Sequence, residues 1–121
     1  MTEPRRIPLP KTTFAVCRRV DDRRFLLRPD AALTAIVTWL LVVLAPLFDV
    51  ELHAVTVLSS HYHIVLSVAD QRISDFFRDL NSLLAKSVNV LRGARRGIVW
   101  EPGALSIVEC KTVDAVVFEI A

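Results

Sequence analysis

The sequence predicts an α+β domain in which one antiparallel sheet carries two helices on a single face. Short runs rich in β-branched and aromatic residues occur at Thr12 to Val20, across Val50 to Val68, and at Ala104 to Lys111. Between them lie two helical stretches, an uncharged run from Ala31 to Phe48 and an amphipathic one from Gln71 to Arg92. A length of 121 residues holds one core and excludes a second folded module.

Residues 1 to 11 read as a flexible basic arm, because Pro4, Pro8 and Pro10 oppose both helix and ladder pairing. The single domain then spans residues 12 to 121. Its first strand closes on Arg18-Arg19 and the turn-like Asp21-Asp22. Asp30 is placed to cap a first helix, which Pro46 should end or kink near Ala45, with Trp39 among its packing residues. Although the run is uncharged, its helical part is shorter than the roughly 17 to 25 residues that a bilayer requires, so a helix buried against a sheet is expected.

Val50 to Val68 reads as a β-hairpin turning at Ser59-Ser60. Side chains alternate along a strand, so His61 and His63 share one face about 6 to 7 Å apart, while Tyr62 points the other way. A two-residue turn sets His61 opposite Leu58 and His63 opposite Thr56, and sends His53 to the far face with Tyr62; a one-residue bulge would reverse the last statement. Two imidazoles on one face can hold a metal ion with coordination positions to spare, although H-x-H spacing alone also suits an ordinary half-exposed strand.

In the second helix Ile73, Phe76, Phe77, Leu80, Leu83, Leu84, Val88 and Leu91 recur at helical spacing as an apolar face, and Gly93 ends it. The loop GARRGIVWEPG sets Arg95 and Arg96 near Trp100, which could stack on a base or plug the core. After the last strand, Thr112 starts a helix with an apolar stripe at Val113, Val116, Val117 and Ile120, cut off at Ala121. The element order β-α-β-β-α-β, followed by an incomplete C-terminal helix, is that of the ferredoxin-like fold.

The net charge is only +2, but the basic residues cluster before the first helix and after the second. Such clusters suit an anionic partner. Cys17 and Cys110 lack C-x-x-C spacing, which argues against a disulfide framework or zinc knuckle and for reduced thiols in the cytoplasm. The polar, proline-bearing N-terminus does not resemble a signal peptide.

Two stretches, HAVTVLSSHYHIVLS and FRDLNSLLAKSVNVLRGARRGIVWEPG, resemble the HUH single-tyrosine transposases, in particular the REP-associated branch. The likeness covers the strand-borne histidine pair, the long helix, the R-R-G loop and the tryptophan that leads into the next strand. It implies DNA transposition chemistry. His61, His63 and one further polar ligand would hold Mg²⁺ or Mn²⁺, which polarises a scissile phosphate of single-stranded DNA for attack by a tyrosine, leaving a 5′-phosphotyrosine. DNA hairpins of palindromic repeats would be the partner, contacted by Arg18, Arg19, Arg23, Arg92, Arg95, Arg96 and Trp100, with no membrane involved and a homodimer allowed.

The family's tyrosine and third ligand lie on the last helix, which places them just past Ala121. Tyr62 cannot substitute from the opposite strand face. No catalytic residue is therefore expected in this chain, which reads as a truncated domain that binds DNA without cleaving it. Ser60 also stands where relatives often have asparagine. Without an oxygen ligand, the two imidazoles should bind Mg²⁺ weakly, with softer ions competing. The alternative is a non-catalytic ferredoxin-like interaction or dimerisation module.

Overall fold

A computed structural model describes residues 10–21, 24–93, 99–103 and 105–110. Nearly all of the expected arm, together with Arg23, Arg95, Arg96 and the expected final helix, lies outside the described residues. The elements run β1 (Thr12–Arg19), α1 (Ala31–Leu47), β2 (Glu51–Leu58), β3 (His61–Val68), α2 (Asp70–Arg92) and β4 (Ser106–Glu109). Strand order in the sheet is β2-β3-β1-β4, and every neighbouring pair is antiparallel. That is the ferredoxin-like α+β arrangement read from the sequence.

Strand alternation builds the core. Tyr62, Ile64, Leu66 and Val68 of β3 and Val16 of β1 face the helices, where they meet Leu33, Val37, Leu40, Leu41 and Leu44 of α1 and Ile73, Phe76, Phe77, Leu80, Leu84 and Val88 of α2. Phe76 packs edge-on against both Phe77 and Phe48, with ring centroids 5.0 and 5.8 Å apart. Burial of each such side chain contributes about 1.5–3 kcal/mol.

α1 starts as expected, with the Asp30 carboxylate accepting the Leu33 N–H at 2.9 Å. Its end differs. The helix continues through Pro46 to Leu47, because a proline in the last turn removes one N–H and leaves the preceding turns intact. Asp49 then takes a left-handed conformation (φ 54°), and the Val50 N–H closes onto the Ala45 carbonyl at 2.8 Å.

Trp39 does not pack as expected. It is 64% exposed, since it lies two residues from both Val37 and Leu41 and so points away from their stripe. Val42, Val43 and Leu47 are exposed as well. Among the described residues no helix is long and apolar enough to cross a membrane.

The two helices are clasped at one end. Arg92, in the last turn of α2, pairs with the Asp30 carboxylate and donates to the carbonyls of Leu26 at 3.1 Å and Arg28 at 2.8 Å. Gly93 follows in the left-handed conformation (φ 63°) that ends α2 without a Cβ penalty.

Candidate functional site on the open sheet face

The β2–β3 hairpin turns in two residues, with His61 opposite Leu58 and His63 opposite Thr56. Ser59 and Ser60 are held by the segment that follows β1: the Val20 N–H donates to the Ser60 carbonyl at 2.8 Å and the Leu27 N–H to that of Ser59 at 2.9 Å. His61 and His63 therefore emerge from a fixed turn onto the face opposite the helices, their rings edge-to-face with centroids 5.0 Å apart. Across β1, Cys17 pairs with His63 and Arg19 with His61.

Hydrogen-bonding groups lie close to both rings. The Ser60 Oγ is 3.3 Å from Nδ1 of His61, and the Cys17 Sγ is 4.0 Å from Nε2 of His63. Burial lowers the pKa of His61, and the neighbouring His63 and Arg19 lower it further, so its imidazole is neutral at pH 7 and keeps a lone pair for coordination. A cleft of about 590 Å³ opens beside the pair, lined by Cys17, Arg19, His63, Glu101, Ser106 and Val108 among others. Among the described residues no three histidine, cysteine, aspartate or glutamate side chains converge on one point.

His53 lies on this face too, contrary to the register without a bulge. β2 slips by one residue between Leu52 and Ala54, leaving His53 as the extra residue, and its Nε2 sits 2.7 Å from Ser67 Oγ, which is also 2.7 Å from Thr13 Oγ1. Ser67 is four positions along β3 from His63, about 13 Å. His53 therefore belongs to a polar ladder at the other end of the sheet. Between the two groups Ala15, Val65 and Cys110 form a small buried apolar cluster, so the face is not polar throughout.

The arginines and the tryptophan singled out from the sequence separate by position. Arg19 is exposed on the histidine face. Arg18, one residue earlier, faces the helices opposite Tyr62, with its guanidinium 5.8 Å from the centroid of the Trp100 ring and its Nε buried without a hydrogen-bond partner. Arg92 is taken up by the helix clasp. Trp100 plugs the core: it is 8% exposed, its Nε1 donates to the Asn81 carbonyl at 2.8 Å, and its ring packs edge-on against Tyr62. Arg18, Arg92 and Trp100 are thus placed away from a ligand on the histidine face.

Tyr62, the only tyrosine of the sequence, is 2% exposed and donates to the Asn81 Oδ1 at 2.6 Å. Burial raises its pKa, so the phenol stays protonated. It cannot reach a phosphate beside the histidines. Sequence reasoning missed Cys17 as the cross-strand partner of His63 and Glu101 as a lining residue of the cleft; a register pairing β1 with β3 would have found Cys17.

Comparison with solved structures joins this geometry to known proteins. A REP-associated tyrosine transposase, solved bound to a REP hairpin, superposes with a TM-score of 0.68 at 17% identity, over 99% of this chain and 68% of that one. The chain has a transposase fold. A second structure of that fold, a candidate transposase from Deinococcus radiodurans R1, matches with a TM-score of 0.70 at 15% identity, over 98% of this chain and 93% of that one. No protein-family model and no curated protein matches by sequence. At these identities the likeness establishes the transposase fold and leaves the chemistry to the side chains.

Proposed function

We propose that the chain is a DNA-binding domain of the HUH transposase type, which engages single-stranded or hairpin DNA over the open sheet face and does not cleave it unaided. The observation that carries this reading is the placement of His61 and His63 side by side next to exposed Arg19, on a sheet folded like that of a transposase solved with a REP hairpin. Arg19 supplies charge for a phosphate, and the cleft beside His63 gives room for a strand. Arg95 and Arg96 remain proposed contacts from the sequence.

The absence of cleavage follows from Tyr62, which is buried on the wrong face. In the HUH reaction the bound ion acts as a Lewis acid on the scissile phosphate. Mg²⁺ or Mn²⁺ does not fit the two imidazoles that lie side by side, with which no third donor converges among the described residues, because these ions seek oxygen ligands. DNA binding through arginine needs no ion.

Fluorescence anisotropy with a DNA hairpin carrying a single-stranded flank tests the reading across a salt series. Affinity should fall linearly on a log–log plot, and Arg19→Ala should weaken binding and flatten the slope by about 1. Binding that ignores salt, or no hairpin binding at all, would defeat it. A covalent protein–DNA species formed with Mn²⁺ would show that the chain cleaves after all.

The exposed apolar surface of α1, with Trp39, Val42 and Leu47, favours a second reading as an interaction module. That reading expects no salt-sensitive binding to hairpin DNA.

A further inference from the structure

We propose that the outward face of α1, with the groove beside it, docks a second copy of this chain, the two α1 helices lying antiparallel about a two-fold axis. This docking uses the helix side of the sheet and leaves the histidine face open, so it holds with or without DNA binding.

α1 meets solvent without a charge. Ala31–Leu47 contains no charged residue, whereas the outer face of a surface helix is ordinarily charged or polar. Trp39, Val42 and Leu47 are 64%, 67% and 68% exposed. Ala32, Ala35, Trp39, Val42 and Pro46, all exposed, follow one another at alternating steps of three and four residues, the seam spacing of a helix that packs against another. The core stripe of Leu33, Val37, Leu40, Leu41 and Leu44 occupies the opposite side of α1, so the seam is a second packing surface. A membrane is a poorer match, because an interfacial helix keeps a charged face towards water and the face opposite this seam lies in the core.

Shape selects a second copy. A cleft of about 470 Å³ runs beside the seam between α1 and the edge strand β2, with Pro29, Val37, Leu41, Leu52, Val55 and Val57 in its wall and no charged residue lining it. A ridge with a groove alongside is self-complementary, since rotation about a two-fold axis lays each ridge in the other's groove. The exposed side chains of the seam, with Val55 at the groove, present several hundred Å² of apolar surface, the order of the roughly 800 Å² that each partner contributes to a standard interface.

Bulk and charge set the direction. The first half of the seam is small, with Ala32 and Ala35; the second is bulky, with Val42 and Pro46; Trp39 stands at the midpoint of the helix. Antiparallel docking sets bulky against small, whereas parallel docking stacks like on like. Before the helix Arg28 is exposed, the neighbouring Asp30 being paired with Arg92. After it Lys11 bridges Asp49 at 3.3 Å and Glu51 at 3.1 Å, which leaves one negative charge over. Antiparallel docking brings Arg28 of each copy towards Asp49 of the other and opposes the two helix dipoles favourably.

Sedimentation velocity of the whole chain over a concentration series tests the docking. A monomer–dimer equilibrium is expected, and Trp39→Glu should raise its dissociation constant at least roughly thirtyfold, the scale of losing a buried aromatic anchor. Ile107→Glu, on the edge strand opposite β2, should leave it unchanged. Trp39 is exposed in the separate chain, so dilute protein should unfold at the same urea concentration with or without the substitution. Should Trp39→Glu nonetheless fail to fold, Val42→Lys takes its place. Disulfide formation reads the direction: Ala35→Cys mixed with Val42→Cys should give more cross-linked dimer than either variant alone, because the two positions face each other in an antiparallel pair. A chain that stays monomeric at every concentration overturns the proposal, whether its face is then bare, covered by residues 111–121 or bound to phospholipid vesicles. So does a dimer indifferent to Trp39→Glu and Val42→Lys, or a mixture that cross-links no better than Ala35→Cys alone.

Discussion

At the residue scale, the most informative side chain is Tyr62, because one phenol answers both a structural and a chemical question. Its hydroxyl donates to the Asn81 Oδ1, while the Asn81 carbonyl accepts from Trp100, so β3, α2 and the segment before β4 meet in one buried polar network. Tyr62→Phe removes the donor and leaves the amide oxygen unsatisfied, a loss of about 1–3 kcal/mol. Urea denaturation should show that loss while hairpin affinity stays unchanged. A fall in DNA affinity at constant stability would mean that the phenol does reach the ligand. Alternation alone located Tyr62, and applied equally to Arg18 and Arg19 it separates them, since neighbours on a strand cannot share a face. Trp100 and Arg92 were not legible in this way. Their roles depend on Asn81, Asp30 and two carbonyls distant in sequence, and no local pattern encodes those partners.

At the scale of elements, α1 and α2 are joined by the Asp30–Arg92 clasp, and its response to acid follows from the carboxylate. The hydrogen bond from Arg92, followed by the one from the Leu33 N–H, lowers the pKa of Asp30 below its ordinary value of 3.8. The folded state thus binds the proton less tightly than the unfolded chain. The clasp contributes in full above pH 3.8 and is lost as the pH falls through the lower folded value. Asp30→Asn keeps a capping oxygen but not the charge, so it should lower the thermal midpoint at pH 7 and narrow the gap from wild type towards pH 3. A gap that is constant with pH would locate the stabilisation in the cap alone. Asp30 was readable as a cap because it directly precedes an apolar run, whereas its partner lies 62 residues away. The His53 bulge was similarly hidden. A strand pattern gives alternation but not where one residue is added, and that one residue moved His53 to the other face.

At the scale of the molecule, the sheet divides the main core from the proposed binding face. The helix side carries the main core, centred on rings such as Phe76, which is fully buried; the other side carries the histidine pair, Arg19 and the cleft. Order of elements and helical periodicity made this division visible in the sequence, because both follow from local pattern. Its energetic consequence is unequal sensitivity to substitution. Phe76→Ala should cost about 3–5 kcal/mol through lost burial and the cavity it leaves, a large part of the roughly 5–15 kcal/mol available to a domain. His61→Ala and Trp39→Ser, at half-buried and exposed sites, should stay within about 0.5 kcal/mol. Urea unfolding of the three variants, followed by hairpin binding at temperatures where each remains folded, separates the two sides. Phe76→Ala should retain hairpin affinity once folded, since its ring faces away from the cleft. A loss of affinity in fully folded Phe76→Ala would mean that the helix layer shapes the DNA-binding surface through the sheet.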